Sequence, residues 1–123
     1  MITEKFNTET GLLESKWEGE VPLSEIIDYI VRTKENTNYP RHLKIITSAE
    51  NAILSLNLQD LKQISEENKL SVERYSAIID AFVVDKAVEA ALTTMYGQVS
   101  EIRGYTFKVF STKEAALEWL DLM

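Results

Sequence analysis

The sequence predicts one α/β domain over residues 1–123, with a mostly parallel sheet of about five strands and four helices. Two observations carry this prediction. Short β-branched apolar runs alternate along the chain with longer segments whose apolar residues recur at helical spacing. Two β-compatible segments at the start are separated by a polar turn containing Gly11, which is typical of a hairpin and makes the first strand antiparallel. The predicted order is β-β-α-β-α-β-α-β-α, and no repeat or linker indicates a second domain.

The first three elements follow from spacing and turn residues. Ile2 to Phe6 and Leu12 to Trp17 are predicted to form the two strands of the hairpin. Pro22 ends the extended chain, and a first helix is predicted from there to the polar turn Asn36 to Pro40. Its apolar stripe consists of Leu23, Ile26, Ile27, Ile30 and Val31.

The middle of the chain predicts the centre of the sheet. Leu43 to Thr47 is a short apolar run bounded by turns, which favours a central strand covered on both faces. Residues 48–56 are predicted to form a loop. Asn57 lies three residues before Asp60 and is predicted to cap a second helix that ends near Lys69. The apolar side of that helix consists of Leu58, Leu61 and Ile64.

The C-terminal half continues the alternation of strands and helices. Tyr75 to Asp80 and Tyr105 to Phe110 are predicted strands, and the third helix is predicted to end before Gly97. Ser111 and Glu114 have the spacing of a capping box, which predicts the start of the last helix. The predicted core-facing stripe of the third helix is Val84, Val88, Ala91, Leu92 and Met95, and that of the fourth is Ala116, Trp119, Leu120 and Met123.

The composition argues against several classes of function. The formal charge of −7 disfavours binding to nucleic acid and to anionic membranes. Because there is no cysteine and His42 is the only histidine, disulfides, Cys-based metal sites and His-dependent triads are not expected. Four dispersed glycines form neither a dinucleotide fingerprint nor a P-loop. We therefore expect no cofactor, no metal and no enzymatic activity, and we expect His42 to lie exposed in a loop without a role.

The N-terminus and the apolar runs bear on location. Met1 to Phe6 carries charged residues and leads into no long apolar run, which does not fit a signal or transit peptide. No apolar stretch reaches the roughly 20 residues that a membrane span needs. We expect a cytoplasmic protein.

Asp80 is the first candidate site residue. It follows Ala77, Ile78 and Ile79, and is therefore predicted to lie at the carboxyl end of a buried strand, where open α/β sheets place ligand sites. A helix-capping or loop-anchoring aspartate is the alternative interpretation. The remaining carboxylates, among them Glu89, are expected on solvated helix faces.

Hydroxyl and amide side chains give the other candidates. Thr47, Ser48 and Asn51 are predicted to lie in the loop after the central strand, where they could be modified or bind a partner. Ser111 and Thr112 open the last helix, where free backbone N–H groups could bind a simple anion. Ordinary turn formation and capping explain the same residues. The aromatic residues are expected to fill the core, and a cavity between helices and sheet stays open as an alternative.

Several of these segments resemble one family. Phe107 to Phe110 and Glu114 to Leu120 resemble the closing signature of small bacterial SpoIIAA-like, or STAS-like, domains, and Ala77 to Asp80 and the pair Met95–Tyr96 lie where that group has matching segments. The resemblance implies a sheet of about five strands flanked by four helices. It also implies a non-enzymatic binding or regulatory domain.

The resemblance carries two further implications. In anti-sigma antagonists a phosphorylated serine opens the helix after the central strand, within an Asp-Ser-Ser-Gly-like motif. This chain has Thr47 to Asn51 there instead, and Ser48 matches only by its approximate position. The fold group is also structurally akin to lipid-transfer domains, which implies an apolar ligand.

Three functional hypotheses follow. The first is a protein-interaction module that presents the loops around Ser48 and Ser111 to a partner or to a second copy of the chain. The alternative is a carrier of a small apolar molecule held between helices and sheet. The third, an enzyme, is not expected, because catalysis would rest on carboxylates such as Asp80 and on hydroxyls alone. A strongly raised carboxyl pKa in a cleft would favour the third hypothesis.

Overall fold

The computed structural model describes residues 1–123 and contains the five strands and four helices in the predicted order. The strands are β1 (Ile2–Asn7), β2 (Leu12–Glu20), β3 (His42–Ile53), β4 (Ala77–Val83) and β5 (Tyr105–Phe110). The helices are α1 (Leu23–Glu35), α2 (Leu58–Ser71), α3 (Ala87–Val99) and α4 (Lys113–Leu122). None of the four helices has the length and apolar character that crossing a membrane requires.

One sheet holds all five strands in the order β1-β2-β3-β4-β5. β1 is antiparallel to β2, and every other neighbouring pair is parallel. The central position belongs to β3, as predicted. The predicted fold class, a mostly parallel α/β sheet with an antiparallel first strand, is therefore confirmed.

Local polar contacts close the turn between β1 and β2. Asn7 Oδ1 accepts hydrogen bonds from the backbone N–H groups of Glu9 (3.0 Å) and Thr10 (3.3 Å). Gly11 follows with a φ of +73°, a left-handed conformation that glycine adopts without steric strain. The predicted hairpin is confirmed, although β2 continues beyond Trp17.

The central strand is longer than predicted. β3 runs to Ile53 instead of ending at Thr47, because it stays paired with β2 as far as Glu20. An extra residue between Ser48 and Asn51 forms a β-bulge, after which the side chains of β3 change faces. The prediction that Thr47, Ser48 and Asn51 lie in a loop is wrong, since strand pairing outweighs the turn preference of Ser and Asn.

The structure differs from the sequence prediction at three other boundaries of strands and helices. β4 continues to Val83 because it pairs with both neighbours over that length, so Asp80 lies inside the strand and not at its carboxyl end. α3 continues through Gly97, whose intrinsic helix penalty of about 1 kcal/mol is outweighed by packing on β5. Thr112, rather than Ser111, caps α4, because its side chain accepts a hydrogen bond from the backbone N–H of Ala115 (3.2 Å). His42 is exposed, but it is the first residue of β3 rather than part of a loop.

Two apolar cores lie on opposite faces of the sheet. Helices α1, α2 and α3 cover the larger core, and α4 covers the smaller one. Asn57 caps α2 as predicted, and it does so through a reciprocal pair of hydrogen bonds with Asp60. The smaller core consists of Leu12, Ile46, Ile79, Ala81, Val83, Ala116 and Leu120.

Helix α3 buries a different face from the predicted stripe. Glu89, Thr93 and Tyr96 are buried, whereas Val88 is 71% exposed and Met95 is 43% exposed. The Tyr96 ring packs edge-on against Phe107 of β5, and this contact sets the rotation of the helix. The predictions that Val88 and Met95 face the core and that Glu89 is solvated are therefore wrong.

Candidate functional site

Alternation along β4 puts a carboxyl group into the interior of the protein. Ile78, Asp80 and Phe82 point toward α1–α3, and the residues between them belong to the core under α4. Asp80 is half-buried: protein surrounds it on all sides, and its remaining surface faces an internal cavity. Asp80 faces the interior because side chains alternate between the two faces of β4, and not because it lies at the end of the strand.

The cavity lies between the sheet and helices α1–α3 and has a volume of about 70 Å³. Its walls are mainly apolar, with 15 hydrophobic residues among the 20 that line it. Aromatic rings from several elements contribute, namely Trp17, Tyr29, Phe82, Tyr96, Tyr105 and Phe107. The cavity is therefore a mainly apolar space whose wall contains one carboxyl group.

Asp80 has a single hydrogen-bond partner in the protein. Thr47, which is completely buried on the neighbouring strand β3, donates its hydroxyl to Asp80 Oδ1 over 2.8 Å. Burial raises the pKa of Asp80 from 3.8 to about 7, and the Thr47 hydrogen bond opposes this shift in part. The carboxyl group in the cavity therefore ionises at a higher pH than an ordinary aspartate does.

A hydroxyl–amide network lies at the side of the cavity formed by α2, α3 and β5. Asn68 Nδ2 donates to the Tyr96 hydroxyl over 2.5 Å and lies 3.4 Å from the Tyr105 hydroxyl. The two tyrosine oxygens are 3.1 Å apart. Burial raises the pKa of Tyr96 to about 12 and that of Tyr105 well above its ordinary value, so both stay protonated and act as neutral hydrogen-bonding groups.

Tyr29 on α1 also lines the cavity, but its hydroxyl lies outside the hydrogen-bond network of Tyr96 and Tyr105. Its oxygen is buried and forms no hydrogen bond in the protein. The nearby Ser15 hydroxyl is already an acceptor for Trp17 Nε1 at 3.0 Å, and it does not meet Tyr29 in hydrogen-bonding geometry. Burial and the Asp80 charge raise the pKa of Tyr29, which therefore remains a neutral phenol.

The cavity shares part of its wall with a surface groove beside α2 and α3. Leu54, Leu56 and Leu92 line both the cavity and this groove, which has a volume of about 500 Å³. Val88 and Met95 also line the groove, where both are exposed. The exposed apolar side chains of α3 therefore lie in a groove that adjoins the apolar cavity.

The structure separates the candidate residues that the sequence indicated. Asp80 and Thr47 come together in the interior, where Thr47 is inaccessible to a modifying enzyme. The half-buried Ser48 and the exposed Asn51 line a polar groove on the opposite face, next to Lys113 of α4. The exposed residues Ser111 and Thr112 follow β5, with Thr112 occupied as the helix cap.

Sequence reasoning missed the polar residues of the cavity wall. Tyr29 and Asn68 are far apart in the chain and share the wall only because α1 and α2 pack side by side. The sequence predicts Tyr96 as a core aromatic but gives no sign of its hydrogen bonds. The available signal was the position of Tyr29, three residues after Ile26 and within the buried stripe of α1.

No three His, Cys, Asp or Glu side chains lie close enough together to hold a metal ion.

Comparison with known proteins identifies the architecture. No protein-family model matches the chain, and no curated protein matches its sequence. A similar solved structure is that of an uncharacterised DUF3478 family protein from Shewanella loihica PV-4, described as having a SpoIIAA-like fold. The two share 15% sequence identity and superpose with a TM-score of 0.59 over 98% of this chain and 92% of that one. The chain has a SpoIIAA-like fold, as the sequence resemblance implied.

Proposed function

From a SpoIIAA-like fold that encloses a cavity, we propose that this protein is a non-enzymatic binding domain for a small, mainly apolar molecule. The observation that carries the proposal is the apolar space between the sheet and α1–α3, with Asp80 as its only carboxyl group. Small-molecule sites are typically concave and apolar, with a few polar groups that fix orientation. The fold alone would not support this function, because one fold serves many functions.

1-Hexanol is a suitable first probe because its slender chain suits a cavity of about 70 Å³, and ¹H–¹⁵N NMR is the measurement. We expect 1-hexanol to shift the amide signals of residues around the cavity, such as Ile64, Ile78 and Phe82. Leu92→Trp, in the wall that the cavity shares with the groove, should weaken this binding about tenfold or more, a loss equivalent to about 1.4 kcal/mol. Leu117→Trp is the matched control, because Leu117 is exposed on α4 at the other face of the sheet.

Two results would contradict the proposal. The first is that no cavity signal of the unmodified protein shifts at saturating 1-hexanol. The second is an equal loss of binding in Leu92→Trp and Leu117→Trp, which would show that the loss is a general effect of added tryptophan. Once 1-hexanol binding is established, native mass spectrometry of protein purified from its own host identifies the natural ligand by its mass.

Binding is proposed in preference to catalysis, although the raised pKa of Asp80 is the feature that would favour an enzyme. General acid–base catalysis most often recruits a histidine, and a lone carboxyl group would have to both accept and return the proton. The tyrosines that line the cavity have raised pKa values, which makes them weak acids, and no histidine lines it. Recovery of a chemically altered ligand after incubation would overturn this part of the proposal.

A second candidate function is protein binding, and the exposed apolar side chains favour it. Val88 and Met95 line the same surface groove and are 71% and 43% exposed. Apolar residues grouped at a surface often mark an interaction site. Sedimentation velocity should then show self-association that Val88→Glu abolishes and Leu117→Glu, on the opposite face, leaves intact. A monomer at all concentrations would remove the self-association form of this hypothesis.

A further inference from the structure

The Tyr29 hydroxyl and one oxygen of Asp80 are the side-chain groups in the cavity wall that lack a hydrogen-bond partner in the protein, and the Asp80 oxygen is the stronger acceptor of the two. Thr47 donates to Oδ1, and no protein group donates to Oδ2. Most other polar side chains in the wall are engaged within the protein: Asn68 with Tyr96, Thr33 with the carbonyl of Tyr29, Ser71 with that of Glu67, and Thr93 with that of Glu89. A ligand in the cavity therefore meets one strong, open acceptor.

No positive charge in the protein balances this carboxylate. None of the 20 residues that line the cavity is Lys, Arg or His. An ionised carboxylate in an apolar environment is unfavourable unless a cation or several hydrogen-bond donors accompany it. The protein supplies only the Thr47 hydroxyl, so the ionised form is left for a ligand to stabilise.

We propose that the bound molecule is an apolar amine whose single ammonium group pairs with the free oxygen of Asp80. This inference rests on the proposed function. An ammonium group supplies both the missing positive charge and a hydrogen-bond donor. An alcohol would supply the donor alone, and a carboxylate would place a second negative charge beside the first.

The dimensions of the site limit the shape of the amine. The cavity of about 70 Å³ is roughly half the size of the ~150 Å³ apolar cavity that holds benzene in an engineered protein. It accommodates the ammonium group and a short hydrocarbon segment. The rest of the chain would lie in the groove lined by Leu54, Leu56 and Leu92. A slender, unbranched alkylamine fits this arrangement better than a bulky ring system.

The surroundings of Asp80 make the preference for an amine depend on pH. The titratable groups that share the cavity are the hydroxyls of Tyr29 on α1, Tyr96 on α3 and Tyr105 on β5. α2 contributes the uncharged Asn68, and β3 contributes Thr47. All three tyrosines stay neutral over the range in which Asp80 titrates, so Asp80 is the group whose ionisation changes the site.

The test compares hexylamine with 1-hexanol and hexanoate, which share one hydrocarbon chain, by NMR titration of the cavity amides. At pH 8 hexylamine is protonated, because alkylamines titrate near the ~10.4 of lysine. We expect hexylamine to bind about tenfold more tightly than 1-hexanol, and hexanoate to bind more weakly than both. Asp80→Asn should remove the amine preference and preserve the 1-hexanol affinity, which also shows that the variant is folded.

The outcomes separate this inference from the proposed function. Equal affinities for hexylamine and 1-hexanol would overturn the amine while leaving the apolar ligand site. Cavity amides that respond to none of the three would contradict the proposed function itself. An amine preference that survives in Asp80→Asn would assign the attraction to the net charge of −7, and the inference would be wrong. In the unmodified protein the preference should also disappear below about pH 5, which tests the inference without any variant.

Discussion

Among single residues, Asp80 couples the stability of the domain to pH. Its pKa is about 7 in the folded protein, against 3.8 for an unperturbed aspartate. Between these values the folded state keeps a proton that the unfolded chain has lost. The free energy of unfolding should therefore fall as the pH rises from about 4 to 7, and remain lower above that range.

Asp80→Asn tests this pH dependence. Since a tenfold change in an acid dissociation constant corresponds to ~1.4 kcal/mol, removing the ionisable group should raise the free energy of unfolding by at most about 4 kcal/mol at pH 8. Near pH 4 the two proteins should have similar stability. Urea denaturation at both pH values measures the difference, and an equal gain at both would show that the effect does not come from ionisation.

The tyrosine hydroxyls lead to a paired prediction. The Tyr29 hydroxyl is buried without a partner, whereas the Tyr105 hydroxyl lies within the network of Asn68 and Tyr96. Tyr29→Phe should leave stability unchanged or raise it by up to about 1 kcal/mol, because it removes an unsatisfied polar group. Tyr105→Phe should lower stability by about 1 kcal/mol. Urea midpoints of the two variants give the comparison, and a Tyr29→Phe loss as large as that of Tyr105→Phe would contradict it.

At the scale of elements, Gly97 is a site where helix α3 can be stabilised. It lies inside the helix with ordinary helical φ, and an added Cβ would approach Phe107 no closer than 3.7 Å. Gly97→Ala should therefore raise the free energy of unfolding by about 0.5–1 kcal/mol. Thermal denaturation measures the change. A decrease would mean that Phe107 cannot accept the methyl group.

The elements also show how far sequence reasoning reaches. β5 has the predicted bounds, and the Asn57–Asp60 capping box starts α2 where expected, because both depend on neighbouring residues alone. The sequence does not reveal the second half of β3, because its strand conformation comes from pairing with β2 and not from local propensity. Nor does it reveal the rotation of α3, because Tyr96 docks on β5 across the core. The cavity is beyond sequence reasoning for a similar reason, since an interior void depends on the spacing of whole layers.

For the whole molecule, the two cores should respond separately to substitution. Leu120 is fully buried under α4 in the smaller core, on the face of the sheet away from the cavity. Leu120→Ala should lower the free energy of unfolding by about 2–5 kcal/mol, as large-to-small substitutions in packed cores do. The affinity for 1-hexanol should stay the same. Urea denaturation and NMR titration of one sample test both statements, and a large change in affinity would show that the cores are coupled.

The alternation of β4 also protects the protein against misfolding. A slip of one residue in this strand would exchange its two faces. Asp80 would then be pressed against Ala116 and Leu120, with neither Thr47 nor a cavity to receive its charge. Asp80, which we propose to contact a ligand, thus also specifies the strand register. It does so because a shifted β4 would bury its carboxyl group in the smaller core, which is strongly unfavourable.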